Sequence, residues 1–516
     1  MTEAALYQGA TVATLYDRAI RRYADHEAIV QGDVRITYRQ FGEQVSRFIQ
    51  LFKSYGLGRG QGLAVLSGNR PEVIAVMAAC QYLGMRYTPL HPMGSIDDHR
   101  FVLEDSEAAA LVVDADRYPE TERLLPSLQL VLTFGVADFG VSAAELLPKF
   151  APAPLIIEAR SEDVSQVLYT GGTTGRPKGV VVSHRMWINN MKQIAAEREY
   201  PLHPRVLAAT PISHASGGNI APVQLKGGVI FLQDGFTPVS FMEIVQKERI
   251  NSVTLVPTAI YALLDHPRLR DYDLSSLELI AYTGAPISPT RIQQALDHFG
   301  PIFCQGYGQT ECQNITYLSK SDHLGDPRKL ESCGLPIMGF DVAVLNEALE
   351  EVGPGEVGEV CVRGPNVMDG YWKRPEETAE VFRGDWLHTG DLATRDADGY
   401  LFLVGRAKDM IISGGFNVYP REVEDVLEAH PAVAMCAVIG VPDEKWGEAV
   451  TAFVVSKDGA AVDVSELKAL VRSRKGPVYA PKTVHKVSAL PMTAYNKIDK
   501  KALRDRFWDR DARQIG

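Results

Sequence analysis

Between residues 11 and 23 apolar side chains recur at the spacing of one helix face. A short apolar run, Ala28-Ile29-Val30, then leads through Gly32-Asp33 to Arg35-Ile36-Thr37-Tyr38, which predicts a hairpin. Residues 38–55 repeat the amphipathic helical pattern and stop at Gly56. Gly62-Leu63-Ala64-Val65-Leu66 has no polar side chain and predicts a buried strand. Asn69-Arg70-Pro71 opens a largely apolar helix over 71–83, with proline in its first turn. Strand-then-helix alternation returns at 108–114, 206–210 and 252–256. Strands joined through helices run parallel and have both faces covered, so the predicted fold class is α/β.

From residue 340 the pattern shortens. Asp341-Val342-Ala343-Val344, Gly358-Glu359-Val360-Cys361-Val362 and Tyr400-Leu401-Phe402-Leu403-Val404 lie between Gly/Pro turns and predict a small β-rich subdomain. Gly405-Arg406-Ala407-Lys408-Asp409 breaks this run and is the predicted hinge. After it, Met410-Ile411-Ile412, a helix over 421–428 and strands near 434–439 and 450–455 make a self-contained α+β unit of about a hundred residues. The expected division is 1–405 and 406–516.

At 516 residues the chain exceeds what one core organises, and its 46% hydrophobic content suits a globular protein of two or more domains. A formal charge of −11 weighs against a general nucleic-acid or anionic-membrane surface and leaves room for a local basic groove. Cys80, Cys304, Cys312, Cys333, Cys361 and Cys436 are scattered, with no C-x-x-C pair and no His at metal-ligand spacing, and read as reduced core thiols. Met1-Thr2-Glu3 opens no basic-then-apolar leader, and no run approaches the length of a membrane span. A cytoplasmic enzyme is expected.

The candidate chemistry centres on Tyr169-Thr170-Gly171-Gly172-Thr173-Thr174-Gly175-Arg176-Pro177-Lys178-Gly179-Val180. Glycines let backbone N–H groups approach an anion, and Thr173, Thr174 and Lys178 add side-chain donors, so the loop reads as a polyphosphate cradle rather than a surface hairpin. It is not the common P-loop, because Lys178 follows Pro177 and precedes Gly179. His214 lies after a predicted strand, where ligand crevices of open sheets occur, although a lone His in such a turn is more often a helix cap or a satisfied loop residue. Glu311 beside Thr310 suits Mg²⁺ near nucleotide phosphates, or a solvated loop. Asp391 is predicted at a turn, bonding either its own backbone or two ribose hydroxyls.

In order along the chain stand YTGGTTGRPKGV, PISHASG, YTGAP, GYGQTE, WLHTGD, GRAKDMIISGGFNVYPREVE and PMTAYNK. This set resembles the adenylate-forming superfamily of acyl-CoA synthetases, carrier-protein adenylation domains and beetle luciferases. The resemblance covers nearly the whole chain. It implies a large N-terminal region of two α/β subdomains and a β-rich one, followed by a small mobile C-terminal domain. It implies that Thr170, Thr173, Thr174 and Lys178, with the backbone of Gly171, Gly172 and Gly175, hold the β/γ-phosphates of ATP. Tyr307 and Gly308 match the adenine-contacting turn, with Thr310 also at the nucleotide, and Glu311 matches the Mg²⁺ ligand. Asp391 matches the ribose acid, Arg406 the residue that joins it, and Lys408 the hinge. Lys497 matches the lysine that meets the substrate carboxylate and the α-phosphate; His214 matches an aromatic gate. Gly414 and Gly415 would flank the tunnel for the CoA pantetheine arm.

Three positions depart from the family pattern: Gly171 replaces a usual Ser, Asn496 a usual Gly, and Phe416 a usual polar residue. The acyl pocket is expected along 214–223, 256–264 and Thr283-Gly284-Ala285, with Gly306 at its side. No charged residue occurs from 208 to 225, which favours a hydrophobic acid of medium or larger size, fatty, alicyclic or terpenoid/steroid-like. The implied reaction is AMP-forming acid–thiol ligation, with ATP, CoA and the acid as partners, no nucleic acid, and a homodimer left open. An acyl-AMP ligase serving a carrier protein, a luciferase-like oxygenase and a non-catalytic acyl-adenylate or CoA binder are the other classes.

Overall fold

The first half of the chain builds two sheets whose strand order follows from the alternation above. The structure, a computed structural model, describes residues 9–124, 128–170, 177–213, 216–457, 460–493 and 498–508. The eight-stranded sheet runs Gly370–Tyr371, Lys178–Ser183, Val164–Thr170, Arg86–Pro89, Gly62–Leu66, Ala108–Asp114, Leu130–Phe134, Val141–Ser142. The nine-stranded sheet runs Leu335–Pro336, Gln313–Leu318, Phe303–Gln309, Leu279–Thr283, Ser252–Leu255, Arg205–Ala208, Val229–Leu232, Glu27–Gln31, Val34–Thr37. Their inner strands pair in parallel, as strand–helix alternation requires.

The helix Pro71–Leu83 is buried at every position but Glu72, which is why its sequence shows no polar face. Against it packs Tyr38–Ser54, started by a capping box between Thr37 and Gln40. One apolar core runs from Val12 to Leu401 and joins both sheets; a second fills the other face of the nine-stranded sheet, with Phe241, Tyr282 and Phe303 fully enclosed.

The β-rich unit is a five-stranded antiparallel sheet of Asp341–Leu345, Gly358–Arg363, Trp386–Arg395, Phe382–Arg383 and Leu401–Arg406. The last sheet, from Ile411–Ser413 to Thr483–Lys486, has a core of its own under the helices Pro420–Glu428 and Val464–Lys475. Its tail is tied back by Lys500 to Glu424 and by Arg504 to Asp409, both at 2.6 Å.

The structure corrects several local readings. Residues 206–210 and 252–256 are strands only to Ala208 and Leu255, because Val256 already serves as the N-cap of the helix Pro257–Leu264 and the chain leaves the sheet ahead of Pro211. Tyr307 and Gly308 lie inside the strand Phe303–Gln309 rather than in a turn. Asp391 lies within the ten-residue strand Trp386–Arg395. All six cysteines are free and buried, as expected, but Cys361 meets His388 across the β-rich sheet, a pairing that sequence spacing does not reveal. No helix among the described residues is long and apolar enough to cross a membrane.

Phe41 is fully enclosed and meets Tyr16 at a ring separation of 6.1 Å. Phe41→Ala should cost about 3–5 kcal/mol through lost burial and the cavity left behind. An unchanged urea midpoint for the large domain would contradict this packing.

Candidate active site

Asp391 is 6% exposed, and three donors converge on it. Tyr307 Oη at 2.8 Å and Gln309 Nε2 at 2.6 Å donate to Oδ2, and Arg406 Nε donates to Oδ1 at 3.0 Å. Tyr307 and Gln309 come from the end of the strand Phe303–Gln309 in the nine-stranded sheet; Arg406 is the register partner of Asp391 in the β-rich sheet. A carboxylate offers about four acceptor positions, so one stays open toward a ligand hydroxyl.

The backbone carrying Asp391 is itself clamped. Gly390 takes φ +71°, a left-handed conformation that favours glycine, and its N–H donates to Glu359 Oε1 at 2.9 Å. His388 Nδ1 lies 2.7 Å from the other oxygen of Glu359, and Thr389 Oγ1 donates to Val360 O at 2.7 Å. A bulge between Glu359 and Cys361 accommodates the twist.

A second group forms around Tyr371, which the sequence reading missed. Its hydroxyl donates to Glu311 Oε1 at 2.9 Å, and the Lys178 ammonium sits 5.1 Å over its ring. Lys178 pairs with Thr170 at the end of the hairpin Val164–Thr170/Lys178–Ser183, and Tyr371 adds to that hairpin as a third strand opposite Val180. Burial, then the Glu311 charge, raises the Tyr371 phenol well above its ordinary range, so it acts as a donor. Met368 N–H holds the Glu311 backbone at 2.8 Å. Tyr371 could have been found only as an aromatic next to Gly370 and Trp372, without a motif to mark it.

Glycine is sterically required at Gly308, where a Cβ would lie 1.7 Å from Gln313 O. Thr310 O accepts from Gln313 Nε2 at 2.9 Å. Gly306 O accepts from Thr283 Oγ1 at 2.7 Å, and Gly284 (φ +88°) and Ala285 follow at the strand's end. Lys408 lies in the turn Ala407–Asp409, where burial and then Arg406 lower its pKa. Gly414 and Gly415 form the two-residue turn between Ile411–Ser413 and Phe416–Val418, with φ +61° and +82°. Among the described residues no hydrogen bond links this turn to Asp391 or Glu311. Gly171, Gly172, Thr173, Thr174, Gly175, His214, Asn496 and Lys497 lie outside the described residues.

The first site is thus a buried acid with an arginine and a tyrosine, the second a carboxylate and an ammonium separated by a phenol ring. Together they suit a ribose-like diol and a metal–polyphosphate.

Comparison with known proteins gives the chain's family. The sequence model of AMP-binding enzymes matches residues 16–372, and that of the AMP-binding enzyme C-terminal domain matches 422–497. A medium/long-chain-fatty-acid–CoA ligase of Mycobacterium tuberculosis is 44% identical, covering 96% of this chain and 90% of that protein. A feruloyl-CoA synthase of an Amycolatopsis species is 38% identical over 93% and 96%. The solved amide bond synthetase of Marinactinospora thermotolerans superposes with a TM-score of 0.89 at 33% identity, covering 96% of this chain and all of that one. A match over most of the chain, shared by its large and small parts, means that the protein belongs to the AMP-binding enzyme family, the adenylate-forming superfamily.

Proposed function

We propose that the chain is an ATP-dependent acyl-CoA synthetase acting on a hydrophobic carboxylic acid of medium or larger size. The observation that carries this reading is kinship over most of the chain with a medium/long-chain-fatty-acid–CoA ligase and a feruloyl-CoA synthase, supported by a buried Asp391 carboxylate that Tyr307 and Arg406 hold. In the first half-reaction a carboxylate oxygen attacks the α-phosphorus, the bond to the β-phosphate oxygen breaks, and acyl-AMP and pyrophosphate result. In the second, the CoA thiol adds to the acyl carbonyl and AMP leaves.

Asp391 and Arg406 would hold the ribose, with Tyr307 beneath the base. Thr170 and Lys178 flank the loop that would grip the outer phosphates. The Glu311 carboxylate, one oxygen of which is oriented by Tyr371, is a hard oxygen donor of the kind Mg²⁺ takes, and that ion would offset charge on the phosphoryl oxygens. Lys497 would meet the α-phosphate, and the unit from 406 would turn about Lys408 to exchange it for the Gly414-Gly415 turn. The two-residue turn has no side chain to obstruct a thiol arm.

A panel of carboxylic acids with ATP, scored separately for pyrophosphate release and for CoA consumption, tests this. Both signals are expected; pyrophosphate alone would favour the acyl-AMP ligase, and neither would favour a binder. Asp391→Asn keeps the shape and removes the charge that Arg406 pairs with. It should raise the KM for ATP roughly ten- to a hundredfold, the worth of one charged hydrogen bond. Glu311→Gln should raise the Mg²⁺ concentration needed for half-maximal pyrophosphate release, and Tyr371→Phe should do so by a smaller factor; equal dependence on Mg²⁺ in all three proteins would remove the metal role. Lys497→Ala should slow pyrophosphate release at least about a hundredfold, as loss of one transition-state donor does, while sparing CoA transfer from supplied acyl-AMP.

A further inference from the structure

Arg198 closes the helix His184–Glu197 and turns its guanidinium onto the nine-stranded sheet. It is 8% exposed, yet among the described residues no carboxylate pairs with it. Its Nη1 donates to Asn219 Oδ1, to Thr254 Oγ1 at 3.2 Å and to Tyr200 Oη at 3.4 Å, all neutral. Nε and Nη2 donate to no acceptor among the described residues, and neither is sealed from solvent-sized space. Burial pushes the nearby Cys304 thiol up to about 11 and holds the Tyr200 and Tyr317 phenols above their ordinary range. None of the three therefore supplies a counter-charge at neutral pH. Burying a guanidinium without an anion is penalised by desolvation, and its planar fork matches a carboxylate. Tyr317 Oη, also buried, has no nitrogen or oxygen partner among the described residues and meets the Cys304 thiol.

This cluster shares a sheet face with the candidate acyl site. Thr254, Ala281 and Cys304 are register neighbours on adjacent parallel strands, so their side chains lie on one face. Two residues further along the same face come Thr283 and Gly306, and Tyr317 is the partner of Gly306. Gly306 has no side chain on that face, and a Cβ there would press on Asn314 Oδ1 at 3.3 Å and touch Thr283 Oγ1 at 4.0 Å. Arg198 stands at the level of Cys304, three residues before Tyr307 on the strand that reaches the nucleotide site, a separation of about 10 Å along the strand.

We propose that Arg198, with Asn219, Thr254 and Tyr317, receives a second carboxylate at the far end of the acid, so that the substrate is a dicarboxylic acid with an apolar spacer. This rests on the acyl-CoA synthetase reading and refines it. The far carboxylate takes the two free edges of the guanidinium and the Tyr317 hydroxyl; the apolar spacer runs past Gly306 toward the carboxyl ends of the strands, beyond the Leu279, Ala281 and Cys304 cluster that Tyr200 and Tyr317 cover. The window 208–225 without charges concealed this possibility, because the cation enters from the preceding helix end.

The test uses the full chain with adipic, suberic and sebacic acids beside hexanoic, octanoic and decanoic acids, read as kcat/KM for pyrophosphate release. The unaltered enzyme should prefer the diacid at the best-fitting length. Arg198→Met should lower the diacid-to-monoacid ratio roughly ten- to a hundredfold, the value of a charged hydrogen bond. Its melting temperature should hold or rise, since an unpaired buried charge is removed. Thr254→Val should lower the ratio by a smaller factor. A preference of the unaltered enzyme for monoacids at every length overturns the proposal without touching the synthetase reading. So does an Arg198→Met protein with an unchanged ratio, or one that loses stability while the ratio stays. Absence of pyrophosphate release with every acid would instead remove the synthetase reading.

Discussion

A carboxylate withdrawn from water must have its lone pairs occupied, and Asp391 is where this requirement organises the protein. The three groups that satisfy it come from two separate sheets: Tyr307 and Gln309 from the end of one strand of the nine-stranded sheet, Arg406 from the last strand of the β-rich sheet. Removing any one would leave the others facing a partly unsatisfied charge, an imbalance costlier than the bond itself. The contact therefore holds the two units in one relative placement. The clamp behind it, from Glu359 to Gly390 and His388, fixes the strand so that this placement recurs at one point only.

Much of the architecture was legible from apolar spacing. Residues 71–83 and 62–66 could be placed because full burial leaves a continuous apolar run, and Gly56 marked the end of the second helix, whereas its Thr37 cap shows only in the structure. Asp391 and Tyr307 were recognised as chemistry but misplaced as turn residues. Their neighbours are glycines, and the sequence does not distinguish a glycine that makes a turn from one that lets two strands approach. Gly308 is of the second kind, pressed against Gln313 O.

What stayed hidden is whatever depends on long-range pairing. Tyr371 acquires its place only when a two-residue strand adds to the hairpin edge, and Cys361 meets His388 only across a bulged ladder. Arg198 belongs to the same category: nothing in its immediate sequence says that its side chain lies on a sheet face more than fifty residues away in the chain, at Thr254.

The ring of Tyr371 has one more effect. An ammonium and a carboxylate that close would ordinarily collapse onto each other and cancel. Here Lys178 rests on the π-face while Glu311 holds the hydroxyl edge, and no ion pair joins them. The phenol works as an insulator between opposite charges, keeping both unspent. Whatever enters between them meets a field that has not been neutralised in advance, and the protein need not break an internal salt bridge to release it.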